Sequence, residues 1–576
     1  MAKTGFLLML VALATGCPSG DPYTLSGTAT YDWLPAADSG EGGVRLNYGV
    51  IARRPIRRAT VQAVDPDGNE VLAEGITDDN GAFELSVTSG RPSQVRVLAR
   101  SAVSAFGPEG VSPDACSGAA WDVTVVDNTQ GNARWSVQED NTRSASASDV
   151  AIHAALTTNG ALEYTSRVAA PFALLDTLIT EIEFVCSAQP GVSLPALRVH
   201  WSPNNTDGSG GNVSNGSIGT SFYTRESDGT SALYILGRED ADTDEYDDHV
   251  IAHEFGHFLE DRLYRSDSLG GPHSFLDALA LTVAFGEGYG NAVAGMTLGD
   301  PVYVDTKGTN QQSGFDIDVS QAPTGDDRGV YSETSVQWLL WSLFENRNAT
   351  PNSGQYDRIH TVLREDHRTQ AAMTTAQSFA AHYNARFGGS AESLQTLWNG
   401  GTGLATPYAS LCQGACSGTG DTADTFDIDN DIGNAYAATR NYPPETAGTF
   451  PAAFWQLYRT LSTGTNSATA HDQTQFANYG SGAYNKFGVV RWYRYASPGG
   501  STSVGITNLG AGSCSTDLLD LYVYQAGQVR AANVDATGGS AGCPGVTFSA
   551  TAGVTYIFEV IGYTSNTPSW SITVNP

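Results

Sequence analysis

The sequence is short of basic residues and of long apolar runs. Its 30 lysines and arginines face 61 aspartates and glutamates, which gives a formal net charge of −31 over 576 residues. Phosphate binding needs clustered positive charge, so the composition excludes a nucleic-acid-binding function. We interpret the dispersed acidic residues as solubility charge on an extracellular surface. Beyond the N-terminus, no apolar run is long enough to form a membrane helix.

The N-terminus carries one apolar run, and this run is short. Lys3 precedes residues 6–13, which are all apolar, and Ala14-Thr15-Gly16-Cys17 follow. The length predicts a signal peptide rather than a membrane span. The ending resembles the lipobox of bacterial lipoproteins. This implies a lipid anchor on Cys17 and a place in the bacterial cell envelope, as an outer membrane lipoprotein or an extracellular protein. The alternative is an ordinary signal peptide in which Cys17 is incidental.

Cysteine is scarce, with seven residues in the chain. Without Cys17 an even number remains, and in an exported protein this predicts disulfides. The expected pairs are Cys412–Cys416, Cys514–Cys543 and Cys116–Cys186. A zinc site at Cys412 and Cys416 is the rival interpretation, but no histidine or second cysteine pair lies near them.

Histidine is also scarce, with ten residues, yet two of them form the clearest motif in the chain. The run His253-Glu254-Phe255-Gly256-His257 places two imidazoles four residues apart. On a helix both rings then lie on one face and can reach the same metal ion. Glu254 lies beside that ion, where a metal-activated water needs a base. The motif therefore predicts a Zn²⁺ site on a helix that Asp247 or Asp248 is placed to cap.

A catalytic zinc site usually has three protein ligands, so a third ligand is needed. The best candidate is Glu287, thirty positions after His257, because Gly270-Gly271-Pro272 between them can turn the chain back. The rival candidates are His273, Asp277 and Glu260.

Around this motif the chain resembles the gluzincins, which are the thermolysin-like and fungalysin-like zinc metallopeptidases. In that family HExxH is followed by a helix whose glutamate ligand lies in a Glu-Gly-Tyr type of stretch, as at Glu287 here. The resemblance covers about residues 170–400. It implies that His253, His257 and Glu287 bind zinc and that Glu254 is the general base. The implied activity is that of an exported zinc endopeptidase acting on polypeptide substrates, and we expect a monomer.

Two further positions follow from the resemblance. The family often has aspartate four residues past the third ligand, where Asn291 stands here; a neutral amide still accepts an imidazole N–H but lends less basicity. Tyr331 is the candidate donor to the developing oxyanion, and the alternative is a tyrosine packed at a helix start. The competing function is a cell-surface binding lipoprotein with an inactive metallopeptidase-like core. A third option is a zinc hydrolase that acts on a non-peptide bond.

The patterns along the chain predict a multidomain α+β fold. Residues 24–100 alternate as strands between tight turns, which predicts an antiparallel β-sandwich, and they resemble the carboxypeptidase-regulatory-like module. Residues 166–410 are the expected metallopeptidase core, a small sheet plus helices, with a helix at about 168–186. The strand 232–236 is expected to line the cleft and to pair with an extended substrate. Residues 486–576 predict a second antiparallel sandwich that resembles those appended to secreted bacterial peptidases.

The remaining divisions carry less signal. They are 1–17, a lipoprotein signal peptide; 101–165, a connecting or pro-like segment; and 411–485, an acidic loop and connecting region. In the last of these, the run Asp427-x-Asp429-x-Asp431 starts like a calcium loop, but Ile432 stands where the glycine is needed and no glutamate closes the loop. A Ca²⁺ site without the EF-hand pattern and a solvated loop are the two alternatives.

Overall fold

The computed structural model describes most of the chain up to residue 387 and parts of the remainder. The described residues are 20–38, 43–67, 70–104, 116–208, 211–275, 277, 279–323, 329–345, 354–387, 458–469, 485–486, 490–508, 519–533, 543–562 and 569–576. The predictions that lie outside these residues, wholly or in part, concern the signal peptide with Cys17, the pairs Cys412–Cys416 and Cys514–Cys543, and the acidic run with Asp427, Asp429 and Asp431.

Six α-helices are described, and none of these is long and apolar enough to span a membrane. They are α1 Ala170–Ala188, α2 Asp248–Arg262, α3 Leu281–Leu298, α4 Glu333–Glu345, α5 Gly354–Thr361 and α6 Ala376–Phe387. A π-helical segment, Val362–His367, follows α5 directly. The predicted helix over about 168–186 is confirmed as α1.

Strands occupy both ends of the chain. Up to residue 318 they are β1 Tyr23–Trp33, β2 Ala36–Asp38, β3 Val44–Leu46, β4 Ala52–Pro55, β5 Thr60–Val64, β6 Val71–Ile76, β7 Ala82–Val87, β8 Gln94–Leu98, β9 Arg100–Val103, β10 Trp121–Asp127, β11 Ala133–Arg134, β12 Ser136–Gln138, β13 Ala147–Ala154, β14 Leu156–Thr158, β15 Tyr164–Arg167, β16 Leu197–Trp201, β17 Phe222–Arg225, β18 Ser231–Ile235, β19 Gly237–Arg238, β20 Asp242–Thr243, β21 Val302–Lys307 and β22 Ser313–Asp318. Near the C-terminus they are β23 Arg459–Thr460, β24 Gly464–Thr469, β25 Val490–Ala496, β26 Gly500–Asn508, β27 Leu519–Gln525, β28 Gln528–Asn533, β29 Gly545–Ala550, β30 Thr555–Gly562 and β31 Ser569–Asn575.

The N-terminal strands form two four-stranded sheets over a shared buried core. One has the order β13-β1-β4 with β7 also paired to β1, and the other has the order β12-β8-β5-β6. The described pairings between strands of residues 24–100 are all antiparallel, as predicted, and the one parallel pairing, of β1 with β13, involves a strand from the segment 101–165. The segment 101–165 supplies β12 and β13 to these sheets, so its strands complete the sandwich predicted over 24–100.

A mixed sheet lies beside the motif helix. Its order is β11-β10-β16-β18-β17, with β9 paired to β10. Strand β16 is parallel to both of its neighbours, β10 and β18, and β17 is antiparallel to β18. The strand 232–236 was expected to pair with substrate, but this is wrong because β16 and β17 already occupy both edges of β18. The edge strand on this side is β17.

Helices α2, α3 and α4 pack in sequence, with α3 in contact with both others. Glycines allow the close approach. A Cβ at Gly256 would lie 2.9 Å from Val293 Cγ1, and a Cβ at Gly288 would lie 2.5 Å from Val336 Cβ. Any larger residue at these two positions would force the helices apart. The short spacing between helices is what brings polar side chains of α2, α3 and α4 into one buried cluster.

The C-terminal strands form two further sheets, ordered β23-β25-β30-β27-β28 and β24-β31-β26-β29. All their described pairings are antiparallel except the two-residue pairing of β23 with β25. Val490 and Trp492 belong to the same hydrophobic cluster as the helices, so this module is packed against the helical core. The predicted disulfide Cys116–Cys186 is confirmed, and it joins the segment before β10 to α1.

Candidate metal centre

The structure brings His253, His257 and Glu287 together at the interface of α2 and α3. The two Nε2 atoms are 3.0 Å apart, and each lies 3.2 Å from Glu287 Oε2. A tetrahedral ion with bonds of 2.0–2.1 Å would separate its ligands by about 3.4 Å. The two imidazoles and the carboxylate are also the donors that zinc prefers. By both size and chemistry, the three groups fit a divalent ion such as zinc.

The start of α2 is held by contacts with other elements rather than by a cap. Asp247 precedes the helix, but its side chain makes no capping hydrogen bond, so the capping prediction is wrong for this residue. Instead its Oδ2 accepts a 2.8 Å hydrogen bond from the Thr306 backbone N–H on β21. Asp248 accepts a 2.8 Å hydrogen bond from the Thr177 hydroxyl on α1. Strand β21 and helix α1 therefore position the first turn of the motif helix.

The second nitrogen of each imidazole has its own partner. His253 Nδ1 donates to Asn291 Oδ1 at 2.7 Å, and His257 Nδ1 donates to Glu260 Oε2 at 3.2 Å. A hydrogen bond at Nδ1 sets the tautomer and the ring orientation, so both Nε2 atoms face Glu287. Glu260, a rival third ligand in the sequence, thus lies behind His257 and orients it.

An amide at position 291 fits its surroundings better than a carboxylate would. Besides accepting from His253, Asn291 donates through Nδ2 to Gln337 Oε1 at 2.9 Å and to Glu333 Oε2 at 3.3 Å. Both acceptors are on α4 and nearly fully buried. An aspartate could accept from His253 but would face two acceptors with no hydrogen to offer. Asn291 stands where the gluzincin pattern often has aspartate, and its N–H donors suit the two acceptors on α4.

The cluster is strongly polarised. Burial alone would lower the pKa of His257, but the carboxylates of Glu287 and Glu260 outweigh it and raise this pKa well above its usual value. Burial alone would raise the pKa of Glu287, but His257, His253 and His273 hold it well below its usual value. The Glu287 carboxylate is thus stabilised by positive charge on the surrounding histidines, and a divalent cation bound there would supply that positive charge instead.

Glu254 lies beside the cluster on α2 and is 8% exposed. The charge of Glu254 contributes to the raised pKa of His257. Burial and the charge of Asp305 are the larger causes of the raised pKa of Tyr303, and the charge of Glu254 adds to them. The Glu254 carboxylate therefore acts electrostatically on both side chains. His249, one turn before His253, is buried, and its Nε2 contacts the Asp300 carbonyl oxygen at 3.1 Å.

His273 reaches the cluster from the loop between α2 and α3. Its Nε2 lies 3.3 Å from Glu287 Oε2 and 3.9 Å from Glu333 Oε2, and its Nδ1 donates to the Gly271 carbonyl at 3.1 Å. Burial opposes protonation, but Glu287 and Glu333 raise the pKa of His273 to about 9. His273, Glu287 and Glu333 form a second group of potential ligands that shares Glu287. The sequence motif gave no reason to place Glu333 here.

The other two sequence candidates are placed differently. Asp277, a rival third ligand, forms an ion pair with Lys486 at 2.6 Å. Tyr331 is half-buried and packs against the hydrophobic core, and its carbonyl accepts a 2.8 Å hydrogen bond from the Leu279 N–H. These contacts give Tyr331 a structural place, and its catalytic role stays a prediction.

Two other features lie apart from the cluster. Asp242, Asp244 and Asp305 form a third group whose carboxylate oxygens lie within 4.8 Å of one another. A cavity of about 870 Å³ lies between the N-terminal strands and the start of α2, with Trp33 and Asp248 in its lining. The lining of this cavity does not include the three cluster residues, so the cavity is separate from the cluster.

Comparison with known proteins places a family within the core. The family model described as the Mycolysin C-terminal domain matches residues 188–397, which include α2, α3 and the whole cluster. On this match the chain is peptidase-related. A search of curated proteins finds no match.

Solved structures give weaker likenesses. The precursor of protealysin, a metalloproteinase from Serratia proteamaculans, is 13% identical over 50% of this chain and 87% of its own, with a TM-score of 0.29. The pre-peptidase C-terminal domain of a Bacillus anthracis collagenase is 9% identical over 20% of this chain and 92% of its own, with a TM-score of 0.14. At these TM-scores neither likeness carries an argument about fold or function.

Proposed function

We propose that this chain is an exported zinc-dependent endopeptidase. His253, His257 and Glu287 would hold the ion, and Glu254 would act as the general base. The observation that supports this most is the close approach of the three metal-binding atoms, which lie 3.0–3.2 Å apart. In addition, Nδ1 of each imidazole is hydrogen-bonded to a further residue, which orients the ring. Such orientation is typical of histidines that bind metal ions.

The ion would supply a Lewis acid and would lower the pKa of a water molecule toward about 7. Proton transfer and hydrogen-bond donation to the substrate are carried out by side chains of this chain. Glu254 accepts a proton as the water attacks the peptide carbonyl and later delivers it to the leaving amine. His273 is our preferred donor to the carbonyl oxygen in place of Tyr331, because its Nε2 already lies 3.3 Å from Glu287 and its side chain is 25% exposed.

The edge strand β17 is the proposed docking site for an extended substrate. Among the strands that the structure describes, β17 pairs with β18 alone, so its other side could recognise a peptide through main-chain hydrogen bonds. Tyr223 and Arg225 of β17 both hydrogen-bond Asp261 on α2, so the edge is tied to the motif helix. The substrate strand would then run past the end of that helix with little demand on its sequence.

The test is Glu254→Gln, which keeps the shape of the side chain and removes the base. We expect zinc content equal to that of the wild type and casein hydrolysis reduced by about 10²–10⁴-fold. The exposed Glu163→Gln is the matched control and should leave both unchanged. A Glu254→Gln protein that binds zinc and cleaves at nearly the wild-type rate would refute the assigned base.

Export and partners complete the proposal. A lipid on Cys17 would hold the protein at the cell envelope as a monomer, and mass spectrometry of the mature N-terminus tests this. The competing function, a binding lipoprotein with an inactive core, predicts wild-type protein that takes up zinc but cleaves no peptide in a complex peptide mixture.

A further inference from the structure

The loop between α2 and α3 is held by residues from a distant part of the chain. This loop carries His273, and its described residues contain neither helix nor strand. Gly270 and Gly271 have φ values of 59° and 95°, a conformation that gives the turn at a cost in chain entropy. Without external contacts, such a loop would sample many positions of the imidazole.

Lys486 makes the first set of external contacts. Its Nζ donates to the Pro272 carbonyl at 3.0 Å and to Asp277 Oδ2 at 2.6 Å. The same Asp277 oxygen accepts a 3.0 Å hydrogen bond from the Ser274 N–H. The residues on both sides of His273 are therefore joined to one ion pair, in which Lys486 is buried and Asp277 is partly exposed.

Asn485 makes the second set. Its side-chain Nδ2 donates to the carbonyls of Gly270 and Pro272, at 3.0 and 3.2 Å. Its backbone carbonyl accepts a 2.8 Å hydrogen bond from the Ala280 N–H, and Lys486 forms an antiparallel bridge with Leu279. Asn485 and Lys486 thus contact the loop at three places, which are before His273, directly beside His273, and at the end of the loop.

The anchor of this pair is itself packed on the helical core. Strand β25 follows shortly after Lys486, and its Trp492 stacks on Tyr458 with ring centroids 5.6 Å apart. Tyr458 accepts a 2.8 Å hydrogen bond from the Met373 N–H, just before α6. At the turn between β27 and β28, a Cβ at Gly527 would lie 2.0 Å from Arg265 Nε, so that turn contacts the start of the same loop. The C-terminal module is therefore packed against the helical core next to the loop that carries His273.

We propose that Asn485 and Lys486 are positioning residues of the active site, which hold His273 beside Glu287 and so couple the C-terminal module to turnover. The inference rests on the proposed peptidase function. His253, His257 and Glu287 come from α2 and α3, and a change of the Lys486 side chain keeps the backbone contacts to Leu279 and Ala280 at the start of α3, so the metal ligands stay in place. Loss of the Lys486 side-chain contacts therefore changes only where His273 lies, and a misplacement of about 1 Å can cost 10²-fold in rate.

The experiment compares full-length wild type with Lys486→Met, His273→Ala and the double variant. Lys486→Met should keep its zinc and its KM within about threefold, and its kcat should fall about 10- to 100-fold. The double variant should be no slower than His273→Ala alone. Exchanging the charges, in Lys486→Asp with Asp277→Lys, should restore part of the lost kcat. Lys307→Met, an exposed lysine on β21, is the matched control and should change nothing.

A second readout does not depend on activity. In metal-free protein, amide hydrogens of residues 268–275 should exchange faster in Lys486→Met than in the wild type, whereas those of α2 should not. Equal exchange in the two proteins would overturn the positioning role of Asn485 and Lys486. An equal kcat in Lys486→Met and the wild type would overturn it too, and so would rate losses that simply multiply in the double variant. A wild type that hydrolyses no peptide would refute the proposed function and the positioning role together. A cleaving wild type with an unaffected Lys486→Met would refute the positioning role alone.

Discussion

Asn291→Asp is the most direct test of how the cluster is built. The change keeps the acceptor for His253 and removes the N–H donors to Glu333 and Gln337. Both acceptors are 1–2% exposed, so water cannot replace the lost donors. A buried polar group left without its partner costs about 1–3 kcal/mol. With two such groups, we expect the free energy of unfolding to fall by about 2–6 kcal/mol.

The assay is urea unfolding of the metal-free protein at neutral pH, so that zinc affinity does not enter. Glu333→Gln is combined with Asn291→Asp as the second half of a double-mutant cycle. The amide introduced at position 333 can donate to the carboxylate introduced at position 291, so the double variant should recover at least half of the lost stability. The reasoning fails if Asn291→Asp is as stable as the wild type. It also fails if adding Glu333→Gln gives no recovery.

Two further predictions concern stability. Burial, opposed by hydrogen bonds from Trp492 and Tyr524, raises the pKa of Glu559 from 4.5 to about 7. The folded state then binds more protons between these values, so this contribution is fully present below pH 4.5 and is lost as the pH rises to about 7. Glu559→Gln should flatten that part of the stability profile, and an unchanged slope in urea unfolding from pH 4 to 8 would contradict this. The disulfide Cys116–Cys186 spans 70 residues. Replacing both cysteines by serine should lower the free energy of unfolding by about 4 kcal/mol, and a loss below about 1 kcal/mol would contradict the loop-entropy estimate.

The cluster was accessible from the sequence because its spacing is local. Two histidines four residues apart fall on one helix face whatever the rest of the fold does. Glu287 was harder, since its meeting with α2 depends on a loop that returns the chain and on Gly256 allowing the helices to approach. The structure brings it to within 3.2 Å of both imidazoles.

The errors share one cause, which is competition by distant residues. Asp247 was placed to cap α2, but Thr306 on β21 takes its carboxylate. Strand β18 was predicted to lie beside the substrate, but β16 and β17 pair with its two edges. Hydrophobic alternation predicts that a strand exists and does not say which neighbours it acquires.

Composition and short-range periodicity were enough to identify the acidic character of the chain, its α+β make-up and the motif helix, because each depends on residues within a turn or two of one another. The roles of Asn291, His273 and Lys486 depended on the folded arrangement. Lys486 and Asp277 are 209 positions apart, and Asn291 meets acceptors 42 and 46 positions away on another helix. No local pattern encodes such meetings, since they arise only when helices, loop and C-terminal strands pack around a common core.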